Sequence, residues 1–487
     1  MSDVVRFGLI TGLVAAAAMA AVLSNRVSER IRVPAPAIFL ILSAVASDVV
    51  PGLASLSVGT VQRVVTLALI PILFDGGMHI GWRRFRSAAG AVVWIGTAGT
   101  FVTAAAVAVL AHLVFGFDWL TAMLVGTALA PTDPAVVFSV LGRREVTGRS
   151  GVVLEGESGA NDPVGIALMA SLLAAAGSGG LAGAVGTGVE EFLLQMVVGA
   201  AIGVAGGFGL LVLTRRVPLP NGALYPLRTL AGATIIYGTA SIAHGSGFLA
   251  VFIAGILVGD ATVPFKAEIE RFHASLASLG EIVAFVMLGL TIQLHALPDG
   301  RAWLIGLVLA VLLAFVIRPV LVGLLLWPVR LTRGERGFVL WAGLKGAVPI
   351  LLGTFLITAH QADADRVYHI IFVVVAFSVI VQGGLVPAVA GRLGVPMRIV
   401  EPEPFAAGIR LRHEPRGVYR YRIAAGSLAD GAVLADLPLG DAWISLLARD
   451  GHLLPVGSGL VLRAGDELLI QAGEDDSDPE PLFSPPA

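Results

Sequence analysis

Apolar runs of helical length recur from residue 5 to about residue 393 of this 487-residue chain, and that recurrence constrains the fold more than any other feature. About 20 apolar residues at 1.5 Å each span a hydrocarbon layer of about 30 Å. A single water-facing core could not absorb so many such runs, so most of the chain must lie in lipid. Composition agrees: 56% of residues are hydrophobic, 14% are charged and mean hydropathy is +0.88, which excludes an ordinary soluble protein. The formal net charge of -2 offers no basic surplus for nucleic acid. With no cysteine, disulfides, thiolate metal sites and cysteine nucleophiles are excluded. A Gly-x-x-x-x-Gly-Lys-Ser/Thr phosphate loop and a His-Glu-x-x-His metal motif are also missing, so the chain reads as a non-enzyme that needs neither ATP nor a resident cofactor.

Thirteen runs can be placed. The first, near 5–23, has only Arg6 before it, offset by Asp3, and reads as a retained helix rather than a signal peptide. The others lie near 33–49, 60–80, 88–115, 119–141, 150–177, 190–214, 224–243, 247–259, 273–294, 302–328, 337–359 and 367–391. Alternate connections carry the basic residues, from Arg26, Arg30 and Arg32 through Arg83, Arg84 and Arg86 to Arg392 and Arg398. The opposite set offers Arg6, Arg63, Arg301 and Arg366. Positively charged short loops stay in the cytoplasm, which puts the amino terminus outside and the residues after 392 inside.

Beyond Val395 the apolar runs shorten to strand length. Residues 394–416 read as a linker; strands are expected at Val418–Ala424, Ala442–Leu447 and Asp466–Gln471, with a helix around Gly431–Leu437. Residues 474–487 are acidic and proline-rich and are expected to be disordered. The expected architecture is an all-α membrane domain over 1–393 with a small α+β cytoplasmic domain over 417–473.

Ionisable side chains at bilayer depth cost on the order of 3 kcal/mol each, so each needs a partner or a function. In Ala130-Pro131-Thr132-Asp133-Pro134, two prolines bracket an aspartate near mid-span and break the fifth helix. Asp162, in Gly156-Glu157-Ser158-Gly159-Ala160-Asn161-Asp162-Pro163, falls about 18 Å along the sixth run, near the midplane. Asp75, Glu281, Arg318 and Lys345 also sit within apolar runs, and Gly343 to Pro349 interrupts the twelfth helix. Helices five and twelve stand seven apart, the offset of an inverted six-helix repeat, and paired broken helices point to a transporter's substrate site. Asp133 and Lys345 can offset the partial charges of the half-helix ends. A poorly solvated Asp162 that binds a proton or an alkali cation, never both, would give antiport if exposed alternately to the two sides.

At these residues the chain resembles the NhaP-type monovalent cation/proton antiporters, the first cation/proton antiporter family. Thr132-Asp133-Pro134, Gly156 to Pro163, Arg318-Pro319 and Gly343-Leu344-Lys345-Gly346-Ala347 occur in that family's order. The resemblance implies thirteen helices, a dimerisation domain and a core domain that moves against it. It makes Asp162 the ion and proton carboxylate, with the monovalent cation at Asp162 and Asp133 and with Thr132, Ser158 and Asn161 assisting. Asn161 in place of a second aspartate implies one proton per cation and electroneutral exchange. Glu157 and Arg318 would form a structural ion pair joined by Asp75, while Lys345 stands where many members carry arginine. Residues 417–473 resemble the TrkA-C module of potassium transport systems, through Gly426 to Gly431, Ala448-Arg449-Asp450-Gly451 and Ala464-Gly465-Asp466-Glu467. That resemblance tilts the cation from sodium toward potassium and implies a small regulatory ligand. The expected protein is a homodimer in the bacterial inner membrane.

Plainer readings apply elsewhere. Glu281 and Glu155 read as satisfying local polar groups, and the many glycines as helix packing. A channel gated by the soluble domain is the alternative function; it would need a continuous selectivity filter. An organic-anion carrier would need an excess of intramembrane cations.

Overall fold

The computed structural model describes residues 19, 34–50, 56–141, 144–146, 148–176, 181–399, 417–439, 443–472 and 480–484. By contacts the chain divides into two compact units, residues 1–401 and 402–487. The expected first helix lies outside the described residues, apart from Met19, as do residues 400–416 of the expected linker.

The first unit is a helical membrane domain. Its first described helices are α1 (Ala35–Val49), α2 (Val58–Trp94), α3 (Thr100–Phe115), α4 (Trp119–Leu129), α5 (Ala135–Leu141) and α6 (Arg149–Ala175). There follow α7 (Leu181–Arg216), α8 (Leu224–Ile242), α9 (Gly247–Gly259), α10 (Lys266–Gly289), α11 (Ala302–Leu312), α12 (Arg333–Trp341), α13 (Ala347–Thr358), α14 (Ala364–Phe377) and α15 (Val386–Leu393). Among the described residues, Val58–Phe115, Gly186–Arg216, Lys266–Gly289, Ala302–Leu325 and Ala364–Gly383 are long and apolar enough to cross a membrane. The exposed Leu193, Val197 and Phe208 on α7 suit a hydrocarbon surface, where apolar exposure carries no penalty.

Helix starts are set by local chemistry. Asp118 accepts from the Thr121 N–H at 3.1 Å before α4, Ser246 from the Leu249 N–H before α9, and Thr332 and Glu335 form a reciprocal capping box on α12. The arginine-bearing connection expected between runs 60–80 and 88–115 is tight: two helices meet within α2 at a kink at Gly81. Gly81 takes φ 63°, a Cβ there would strike the Asp260 carboxylate, and Asp260 Oδ2 accepts the Arg83 N–H at 2.5 Å. Three stretches are π-helical: Ile95–Gly99, Leu313–Val322 around Arg318-Pro319, and Ser378–Gly383.

Two layers emerge from the packing. Helix α2 packs on α9 and α10, α9 on α7 and α8, and α10 on α1; in the other layer α3 packs on α4, α11 on α14 and α13 on α14. Helix α6 touches α2, α7 and the α4 half-helix, so the Asp162 segment lies between the layers. One short antiparallel ladder joins β1 (Arg144–Val146) to β2 (Met397–Ile399). Residues 395–399 therefore belong to the membrane unit rather than to a linker, with Val395 buried.

The second unit is smaller. Strands β3 (Gly417–Arg422), β4 (Trp443–Arg449), β5 (His452–Leu454) and β6 (Glu467–Ala472) form one antiparallel sheet in the order β3-β6-β4-β5. The helix expected near 431–437 is a single 3-10 turn, Leu434–Asp436, so this unit is essentially β rather than α+β among its described residues. The expected disordered tail is corrected at 480–484: Glu480–Phe483 forms a helical turn (α16), whose Phe483 is buried against Tyr421 and whose carbonyl accepts the Ala424 N–H. An aromatic anchor outweighs the acidic, proline-rich composition there.

Candidate ion-binding site

The backbone of α4 leaves the helix after Leu129 because neither Pro131 nor Pro134 has an N–H to continue the ladder. The α12 helix likewise stops at Trp341, and α13 restarts at Ala347. These two breaks meet. The Asp133 N–H donates to the Leu344 carbonyl at 2.8 Å, and Lys345 Nζ donates to the Ala130 and Pro131 carbonyls at 2.9 and 3.1 Å. Lys345 thereby places its positive charge on the negative end of α4. The Asp133 carboxylate does the converse, accepting the Ala135 N–H at 2.9 Å at the start of α5 and facing the Ala347 N–H at the start of α13. A Cβ at Gly346 would overlap the Asp133 carboxylate, so this approach requires glycine.

The other severed end is capped by a different cation. Arg318 Nε donates to the Leu340 carbonyl at 2.9 Å and Nη2 to the Val339 carbonyl at 3.3 Å, both in the last turn of α12. The same guanidinium pairs with Glu157 at 2.8 Å, with 7% and 3% of the two side chains exposed. The expected pair is therefore present and serves a second purpose as a helix cap.

Helix α6 supplies the remaining groups. Asn161 Nδ2 donates to Thr132 Oγ1 at 2.7 Å, its Oδ1 accepts the Thr132 N–H at 3.2 Å, and the Ser158 hydroxyl donates to the Thr132 carbonyl. These residues pin the broken segment to α6. Asp162, one residue on, has Asp133 and Lys345 as electrostatic neighbours. Its Oδ1 is buried and finds no hydrogen-bond partner among the described residues. A buried carboxylate oxygen left without a donor is costly unless something else neutralises it.

Residues 14–391 match the family described as sodium/hydrogen exchanger, transmembrane. The chain belongs to the sodium/hydrogen exchanger family. It is similar to the K(+)/H(+) antiporter NhaP of Alkalimonas amylolytica, 35% identical over 379 residues, covering 76% of this chain and 64% of that protein. It is also similar to the K(+)/H(+) antiporter NhaP2 of Shewanella sp. (strain MR-4), 32% identical over 473 residues, covering 96% of this chain and 81% of that one. The fold matches that of the sodium proton antiporter MjNhaP1 from Methanocaldococcus jannaschii, with a TM-score of 0.65, 22% identity, and coverage of 77% of this chain and 99% of that one.

In this chain, one predicted position needs correction. Asp75 does not join Glu157 and Arg318; its electrostatic neighbours are His79, one turn along α2, and Glu270 of α10. Lys345, expected to offset a half-helix end, donates its ammonium to the Ala130 and Pro131 carbonyls where α4 stops. Sequence reasoning also missed Ser378 and Gln382. Ser378 Oγ accepts the Lys345 N–H at 2.9 Å and donates to Gln382 Oε1, and Gln382 Nε2 donates to the Trp341 carbonyl at 2.6 Å. Their one available signal was two polar residues a turn apart in the otherwise apolar Phe377 to Gly383. Glu281, expected to satisfy local polar groups, instead has a buried Oε1 with no partner among the described residues.

Proposed function

We propose that this chain is a secondary antiporter that exchanges a monovalent cation, potassium in preference to sodium, for a proton. The single observation that carries the reading is the unpartnered Asp162 oxygen beside the crossing of two interrupted helices. A carboxylate there has room for one neutralising species, either a proton or a desolvated cation, and competition between them couples the two fluxes. The Thr132, Ser158 and Asn161 cluster holds the broken segment where its oxygens, with Asp133, can complete a cation's coordination. Asp133, Lys345 and Arg318 offset the half-helix ends, so the crossing carries no large uncompensated dipole when the site changes occupant.

Finer parts of the reading rest on the sequence. Thirteen helices follow if the apolar run near 5–23 spans the membrane, and the arginine pattern supports an outside amino terminus and a cytoplasmic carboxy-terminal unit in a bacterial inner membrane. Asn161 beside Asp162 supports a one-for-one electroneutral cycle. The naming of NhaP and NhaP2 as K(+)/H(+) antiporters supports potassium. The TrkA-C resemblance supports regulation of a homodimer by a small ligand at residues 417–473. No observation favours the gated channel.

The test is cation-driven pH change in proteoliposomes, with potassium, sodium or lithium gradients. Wild type should acidify or alkalinise the lumen according to gradient direction, unaffected by clamping the membrane potential, and Asp162→Asn should be inactive. Equal exchange by wild type and Asp162→Asn would overturn the reading.

A further inference from the structure

Helix α10 carries a second intramembrane carboxylate that the site above does not use. Glu281 Oε1 is buried without a hydrogen-bond partner among the described residues. Asp133 of the crossing is an electrostatic neighbour of Glu281. The elements packed against α10 offer it no counter-ion. Helix α13 has no ionisable side chain, and the Asp48 of α1 is taken by His295 at 2.7 Å. On α8, Arg228 donates to the Val217 and Thr214 carbonyls, Tyr225 accepts the Leu219 N–H through its hydroxyl, and Tyr237 is the other ionisable group. Helix α2 presents Asp75 and His79 near Glu270; its Arg63 and the Arg83 to Arg86 group lie toward its far end and beyond the kink. On α10 itself, Lys266 pairs with Glu270 at 3.3 Å, and His273 is held by Thr229 at 2.9 Å and by the Phe74 ring.

These positions form a file. Glu270 is exposed, Asp75 is half-buried beside it, and Glu281 lies eleven residues beyond Glu270, three helical turns or about 16 Å inward on the same face of α10. The Phe74 to His273 contact and the close approach of Gly280 to Ala68 and Ile72 hold α2 and α10 antiparallel along this length. Carboxylates thus step from the surface at Glu270, through Asp75 and Glu281, to Asp133 and Asp162.

Building on the antiport reading, we propose that Glu281 is a transit site, a carboxylate that transiently holds the cation or proton on its way between the Asp75 and Glu270 surface and Asp162. A buried carboxylate oxygen with no hydrogen-bond partner and no counter-ion from the helices packed against it is neutralised by one of the two transported ions, and Asp133 as an electrostatic neighbour sets it beside the crossing.

The experiment uses the full chain in proteoliposomes, with wild type active and Asp162→Asn inactive as the reference for antiport itself. Glu281→Gln should raise the apparent KM for potassium or sodium about tenfold and displace the pH profile, with Glu281→Asp falling between it and wild type. Wild-type KM and pH profile in Glu281→Gln would overturn the proposal. Labelling with dicyclohexylcarbodiimide gives a readout free of variant folding: mass spectrometry should find Glu281 modified, and saturating cation should protect it. An unmodified Glu281, or modification indifferent to cation, would overturn it.

Discussion

The Lys345 ammonium lies 2.9 Å from the carbonyl oxygen of Ala130, so a cation carried by the second interrupted helix caps the severed end of the first. Removing it in Lys345→Ala strands two buried carbonyls and should cost about 2 kcal/mol. Lys345→Arg, which can still donate to both, should retain most of that stability. Thermal unfolding in detergent, followed by tryptophan fluorescence, measures the difference.

Asp162 makes no hydrogen bond through Oδ1 among the described residues, so an amide there loses nothing structural. Asp162→Asn should keep the wild-type unfolding midpoint while abolishing cation-driven proton movement. A large fall in that midpoint would identify a structural rather than a transporting carboxylate.

Arg318 holds Glu157 and two carbonyls of α12 at once. Arg318→Ala should destabilise the protein by about 3–5 kcal/mol, since it leaves a buried carboxylate unpaired. Combining Arg318→Met with Glu157→Leu should recover part of that loss. A double-mutant cycle on unfolding midpoints shows whether the two effects are coupled as the geometry requires.

At Gly346 the obstacle to a side chain is the Asp133 carboxylate itself. Gly346→Ala should therefore displace Asp133 from the α5 and α13 amides, lowering both exchange rate and thermal stability, whereas Gly391→Ala, where a Cβ meets open space, should be neutral. The paired assay is exchange per correctly inserted protein.

In the C-terminal unit, the Arg449 guanidinium grips Asp466 at 2.8 Å and holds its carboxyl below the usual 3.8. The folded state thus favours the ionised form, so this contribution is complete above the ordinary carboxylate value and is lost as pH falls through the lowered one. Hydrogen-exchange protection of β6 should hold from pH 7 to 5 and decline below about pH 4. Arg449→Met should reduce protection at neutral pH and flatten that dependence.

Much of the site was legible because backbone chemistry announces itself in sequence. Pro131 and Pro134 cannot donate, so the break in the fifth run had to occur near Asp133 whatever surrounded it. Asp162 and Arg318 stood out because apolar runs leave few affordable places for charge, while the pairing of Arg318 with Glu157 was implied by the family resemblance. Asp75 was misassigned for the same reason: depth along one helix says nothing about which neighbouring helix faces a side chain. The carboxy-terminal helical turn at Glu480–Phe483 was missed because a single buried ring, not composition, orders it.

From sequence alone came the membrane class, the positions of the interrupted helices and the midplane carboxylate, since hydropathy, missing N–H groups and the cost of charge in lipid are properties of local chain chemistry. Tertiary structure alone decided which severed helix end Lys345 closes, 215 residues away, that Ser378 and Gln382 support the second break, and that the buried Oε1 of Glu281 is left without a partner among the described residues. Those relationships are set by which helices lie side by side and how each is rotated about its axis, and side-chain packing between distant segments chooses that rotation.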